Sequence, residues 1–341
     1  MYKVKGKPWE YSGAVKVENC KTAADVMSAA NLDFEVAKCE LIAKMPTNSI
    51  AEHEGFVFNG DNYVKCPNAY ATYRTDYNIP LGIVKERYTP VQNIEAFSFF
   101  DDCIGKDRAI WQTAGFFGNG ERIFVSAKLP NDILVNGDPV ENYLVFTNSH
   151  DGSTGVKILF TPIRVVCQNT LNAAIKTSTN FVSFRHTSSV HDNINVAKEI
   201  LGICKEKVQF VKEQFNFLAN KHISDENAMK LFGDVILTDK EKSDIIATGH
   251  NIKQIITRNY DAIYDANISM KKVNTLSEMN NYYYVGAGQR EVLGTAWGVL
   301  NAVSGYYSNV DNAEKTKRMD TLLYGDRSNK IANATNLLMA A

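Results

Sequence analysis

The residues with the most chemical potential lie between Asn148 and Thr187. In Phe160-Thr161-Pro162-Ile163-Arg164-Val165-Val166-Cys167-Gln168-Asn169-Thr170, Arg164 sits in a markedly apolar run, so its guanidinium needs a partner or a groove. The stretch Cys167–Thr170 is predicted to fall where a strand passes into a helix, a place whose free N–H groups and dipole favour an anion. The plainer reading has Asn169 or Thr170 capping that helix and Cys167 buried as a small hydrophobe. Asn148-Ser149-His150-Asp151-Gly152-Ser153 holds a hydroxyl, an imidazole and a carboxylate in succession. Neighbours on a strand alternate faces, so these three cannot form a nucleophilic relay by themselves; an Asp-Gly turn of a hairpin is the favoured reading, with phosphate or base contacts from the same loop as the alternative. A Cys167 nucleophile served by His150 or His186 is a further possibility. Arg185 and His186 offer an anion-binding pair, or His186 is a satisfied surface imidazole. Lys85-Glu86-Arg87-Tyr88 sets two cations beside an aromatic, a combination used to hold single-stranded nucleic acid.

Metal and cofactor chemistry find no support. The six histidines form no HxH or HExxH pattern, the six cysteines form no CxxC, and the Gly115–Gly120 stretch lacks the Lys-Ser/Thr ending of a phosphate loop.

The elements that must position these residues change character near residue 190. Asn59-Gly60, Gly118-Asn119-Gly120 and Asn136-Gly137 punctuate tight hairpins. Between them, Ile110–Phe117, Arg122–Leu129, Tyr143–Thr147 and the run from Val156 to Val166 are rich in β-branched and aromatic residues. Successive hairpins make one antiparallel sheet over residues 51–186. Short helices are predicted at Ala23–Ala30, Asn93–Ile104 and Asn169–Lys176. Beyond His191 the period is helical: Val196, Ile200, Ile203, Val208, Val211, Phe215 and Leu218 form one stripe. Ser224 and Thr238 precede further helices, the second running through Ile256, and Thr295–Tyr307 forms another. The basic run Lys315-Thr316-Lys317-Arg318 is expected on a solvated face. The fold class is therefore α+β, with a sheet domain over 1–190 and a mostly helical region over 191–341 docked on it.

The chain has 341 residues, enough to bury a core without disulfides, and its 37 Lys+Arg against 38 Asp+Glu leave a net charge of −1. That excludes binding through global positive charge but not through a local basic groove. Scattered cysteines fit reduced thiols, and neither an apolar leader nor a membrane-length apolar stretch is present, so a cytoplasmic protein without membrane contact is expected.

The chain resembles the phage/plasmid-like protein family, domain of unknown function 932. The resemblance rests on Leu81-Gly82-Ile83-Val84, Arg87-Tyr88-Thr89-Pro90-Val91-Gln92-Asn93, Thr147–Ser153, Phe160–Thr170, Phe184-Arg185-His186-Thr187 and Gly294-Thr295-Ala296-Trp297, spanning about residues 25 to 340. It implies a gene of phages, prophages and plasmids in a bacterial host, and brings no established activity. Three readings follow. The favoured one is a homo-oligomeric single-stranded DNA binding or annealing factor in recombination or replication, with Lys85, Arg87, Arg164 and Arg185 on phosphates, Tyr88 stacking, and Asn169 and His186 nearby. The second is an enzyme with a cleft of Cys167, Asn169, Arg185 and His186 around Ser149–Asp151. The third is a host-interaction or anti-defence protein. In the first, Arg164, Asn169, Arg185 and His186 gather at one end of the sheet.

Overall fold

The computed structural model describes residues 2–10, 13–46, 55–58, 60–95, 97, 109–130, 132–170, 181–186, 204–312 and 315–340. The architecture is α+β, but the strands form two antiparallel sheets rather than one. The larger contains β1 (Val15–Lys16), β6 (Ile110–Phe117), β7 (Arg122–Lys128), β8 (Ile133–Val135), β9 (Asp138–Ser149), β10 (Val156–Arg164), β11 (Asn169–Thr170) and β12 (Phe181–Phe184). The smaller contains β2 (Val36–Met45), β3 (Gly55–Phe58), β4 (Asp61–Arg74) and β5 (Ile79–Val84).

Turn chemistry fixes the hairpins as predicted. Asn136 and Gly137 both take positive φ, 48° and 90°, the combination a type I′ turn between β8 and β9 demands. The central strands are apolar almost without interruption because both faces are covered. Leu144, Phe146, Ile158 and Phe160 face a core shared with the helices. Tyr143, Val145, Leu159 and Ile163 face a second cluster closed by Trp9, Met319 and Leu323. The N-terminal segment thus straps the back of the sheet. Trp9 is fully buried, and Tyr2 donates to Glu278 at 2.6 Å.

Helix α1 (Ala23–Ala29) starts at a Thr22–Asp25 capping box. The C-terminal region comprises α2 (Cys204–Asn220), α3 (Asp225–Ile236), α4 (Asp239–Ala247), α5 (Ile252–Ile256), α6 (Tyr260–Asp265), α7 (Met270–Val285), α8 (Ala296–Gly305, extended by a π turn through Val310), α9 (Lys315–Leu323) and α10 (Asp326–Ala340). Every residue of α8 is buried, and its small side chains let α2, α7 and α10 pack around it.

Several expectations need correction. The helix predicted through Ile256 is two helices, α4 and α5, because Gly249 (φ 76°) ends the first and Asn251 opens a new capping box. Asn169 and Thr170 are a strand pairing β10, not a helix start; residues 171–176 lie outside the described set. Of the helix predicted at 93–104, residues 93–95 and 97 are helical and the rest lie outside it. Arg318 is not solvated: its guanidinium donates to the carbonyls of Gly6, Lys7 and Ser308, which anchors the N-terminal strap.

Candidate nucleic-acid interface

β10 separates the predicted site residues into two groups. At one end, Arg164 pairs with Val140 of β9 and Asn169 of β11. At the other, Val156 pairs with Phe184, and Arg185 and His186 follow. Nine strand residues span roughly 26 Å. Arg164, Asn169, Arg185 and His186 therefore do not share one site, and Cys167 cannot meet His150 or His186.

The Arg164 end is a structural network. Arg164 is fully buried; its Nε donates to Asp138 Oδ2 at 2.5 Å and its Nη2 to the Gly288 carbonyl at 2.9 Å. Trp297 Nε1 donates to the same Asp138 oxygen at 2.9 Å. Asn169 Nδ2 donates to the Asn301 carbonyl at 3.0 Å, while Asn309 Nδ2 donates to Asn169 Oδ1 and to the Cys167 carbonyl. These bonds dock α8 and its π turn onto the sheet edge and leave neither Arg164 nor Asn169 free for a phosphate. Burial pushes the Cys167 thiol up to about 11, which makes it a poor nucleophile. A cleft of about 460 Å³ opens over Asp138 and Trp297, but their polar atoms are already joined.

The other end gathers residues from segments far apart in sequence. After β5 the chain turns at Lys85–Tyr88, with Tyr88 N–H donating to the Lys85 carbonyl. Thr89 N–H then donates to the His186 carbonyl at 3.1 Å, and His186 Nδ1 lies 3.3 Å from the Thr89 carbonyl, so it carries the proton. The Tyr88 ring stacks on His186 with centroids 4.6 Å apart, and its hydroxyl donates to the Ser149 carbonyl at 2.8 Å. Behind this pair, His150 Nε2 meets Asn93 Oδ1 at 2.9 Å. The Asn93 amide donates to the Leu32 carbonyl, so Nε2 of His150 is the donor. Burial holds His150 down to about 3 and His186 to about 4, so both imidazoles are neutral.

Ser149 Oγ is committed to the Thr154 carbonyl at 2.6 Å rather than to either histidine. The Asn148–Ser153 segment is thus the bend that ends β9, and its contacts are structural. Gly82 approaches it so closely that a Cβ there would lie 2.5 Å from Asp151 Cα. Thr72 also donates to the His150 carbonyl at 2.6 Å. These contacts join the smaller sheet to the larger.

The outward face at this end carries three cations, with the exposed Glu86 between two of them. Lys85, Arg87 and Arg185 are exposed, and none makes an ion pair among the described residues. Arg87 and Arg185 directly precede the two stacked rings, so the stack sets their backbones relative to one another. Tyr88 is half-buried with one face on His186, so it positions the rim rather than offering two free faces. Lys38 was not legible as part of this end. Its Nζ donates to the carbonyls of Glu86 and Tyr88 at 2.6 and 3.1 Å across the Tyr70 ring, pinning the turn. Nothing in the sequence places β2 beside residues 86–88.

Among the described residues no group of His, Cys, Asp and Glu side chains could hold a metal, and no helix is long and apolar enough to cross a membrane. Comparison with curated proteins and with solved structures yields no match. One family model, described as Domain of unknown function (DUF932), matches residues 80–334. That is narrower than the resemblance over residues 25–340: it begins in β5, includes both polar clusters, and leaves out α1, β2, β3 and β4. With about three quarters of its length matched, the chain belongs to the DUF932 family.

Proposed function

We propose that the chain binds single-stranded DNA at the rim formed by Lys85, Arg87 and Arg185, as a self-assembling factor of phage or plasmid recombination or replication acting in the bacterial cytoplasm. The observation that carries this reading is that two distant segments, bearing three exposed cations that make no ion pair among the described residues, are joined by the Thr89–His186 hydrogen bond and the Tyr88–His186 stack. Because the two segments are already joined, their backbones need no ordering when the cations meet phosphates. A rim carried on two loops suits a pliable single strand better than a duplex. With a net charge of −1 the attraction is local, so affinity depends on these few contacts. The enzyme reading loses its geometry, because Cys167 lies at the opposite end of β10 from both histidines.

The test is fluorescence anisotropy with a labelled single-stranded oligonucleotide and its duplex at about 50 and about 200 mM salt. The reading expects tighter binding of the single strand and a steep loss of affinity at the higher salt. Absence of binding at the lower salt would reject it.

A further inference from the structure

We propose that the outer edge of β2 is a homodimer interface, on which β2 of a second copy pairs antiparallel about a two-fold axis through Ile42. This deepens the self-assembly part of the reading above and is independent of the DNA rim. It concerns a segment outside the residues that match the family.

β4 takes up one edge of β2 from Val36↔Arg74 to Glu40↔Tyr70 and, after a register shift, from Ile42↔Lys65 to Met45↔Asn62. Among the described residues no strand pairs with the other edge. An unpaired edge of this length is a template for another strand unless charge, proline or a bulge blunts it. β2 is also poorly covered: only Val36 is buried, and Ile42 is 48% exposed.

The edge has a defined phase. Val36 exchanges its N–H and C=O with the Gln92 side-chain amide, at 3.0 and 2.9 Å, so these groups point away from β4. Strand alternation then turns the backbone groups of Lys38, Glu40, Ile42 and Lys44 outward as well. Gln92 satisfies Val36 and leaves the later residues to a partner.

Charge selects the register and the partner. With the axis at Ile42, Glu40 lies opposite Lys44 of the second copy, and Lys44 opposite its Glu40. On the other face, Leu41 lies opposite Ala43. An axis at Glu40 or Lys44 sets that charge against itself, one at Leu41 sets Lys38 against Lys44, and one at Ala43 leaves both Glu40 and Lys44 without an opposite charge. An axis at Cys39 requires the edge of Val36, which Gln92 already covers. Within one chain Glu40 pairs with Lys65, and Lys44 pairs with Asp61 at 2.6 Å. In the dimer the charges alternate across the joined sheets: Lys65, Glu40, then Lys44 and Asp61 of the second copy. Such self-complementarity is what an isologous two-fold contact requires.

Sedimentation velocity of the full chain without DNA tests this, using the parent, Glu40→Lys, Lys44→Glu and an equimolar mixture of the two variants. The parent should be dimeric. Each variant alone sets like charges opposite one another twice and should self-associate about tenfold more weakly. The mixture should restore parental association, because every Lys then faces a Glu. Both sites are exposed, so each variant should stay folded, with its melting temperature lowered only modestly by the weakened dimer and the lost surface ion pair. A monomeric parent, variants that associate like the parent, or a mixture that stays monomeric would each overturn the proposal. Anisotropy with single-stranded DNA on the same proteins separates the two readings. DNA binding by a monomeric parent would sink only the dimer, whereas a dimer that binds no DNA would sink only the rim.

Discussion

Tyr88 stacks on His186 with the ring planes 22° apart, and this contact fixes the two loops that carry Arg87 and Arg185. Tyr88→Phe keeps the stack and loses only the hydrogen bond to Ser149, so it should cost about 1 kcal/mol in urea unfolding and leave DNA affinity unchanged. Tyr88→Ala removes the stack and should lower both stability and affinity. Equal affinity in the two variants would show that the stack does not position the rim.

Acid should destabilise the fold through its buried imidazoles. His150 and His186 are held at about 3 and about 4, against an ordinary value of 6.5, so the unfolded chain takes up protons that the folded one refuses. Their contribution is complete above pH 6.5 and is lost as pH falls toward about 4 and then about 3. Each imidazole adds a slope of about 1.4 kcal/mol per pH unit inside that window. Denaturant titrations at pH 6 and pH 5, where few carboxylates of ordinary affinity titrate, isolate the effect. His186→Gln should show a shallower dependence than the parent.

The Asp138 carboxylate should matter far more to stability than its place in a hairpin suggests. Asp138→Ala strands the buried Arg164 guanidinium and the Trp297 indole N–H, and should cost roughly 3–5 kcal/mol. Trp297→Phe leaves the ion pair intact and breaks one hydrogen bond, yet also changes a packed ring. Its loss in chemical denaturation should be the smaller of the two.

Thiol labelling should follow burial. Cys39 is exposed, whereas Cys167 is fully buried with its thiol pushed up to about 11. Iodoacetamide on the native protein should modify Cys39 and spare Cys167 until denaturant is added. Native labelling of Cys167 would mean that the α8 docking network opens readily.

The larger sheet was legible because its turn residues have few alternatives. Asn136-Gly137 suits a type I′ hairpin, and the β-branched runs on either side had to pair. The helix starts at Ser224 and Thr238 were legible from the capping residues, and the helix at Thr295 from its run of small and apolar residues. β2 was not, since a strand exposed on both faces carries no hydrophobic alternation strong enough to mark it. The site was half legible. The motif residues do converge, but on two centres, because position along β10 decides the grouping and sequence proximity does not. Arg164 drew attention as a cation in an apolar run, and its partner Asp138 lies across the hairpin, where sequence alone does not assign it. Arg318 was misplaced for a similar reason: the carbonyls it satisfies belong to the N-terminal strap and the π turn.

The central claim, that Lys85, Arg87 and Arg185 hold single-stranded DNA, is tested most directly by the salt dependence of binding in Lys85→Ala/Arg87→Ala/Arg185→Ala. All three side chains are exposed, so the melting temperature should match the parent's. Losing three phosphate contacts should weaken binding evenly across oligonucleotide sequences and lower the log–log salt slope by about two units. A folded triple variant that binds single-stranded DNA with the parental affinity and slope would contradict the account.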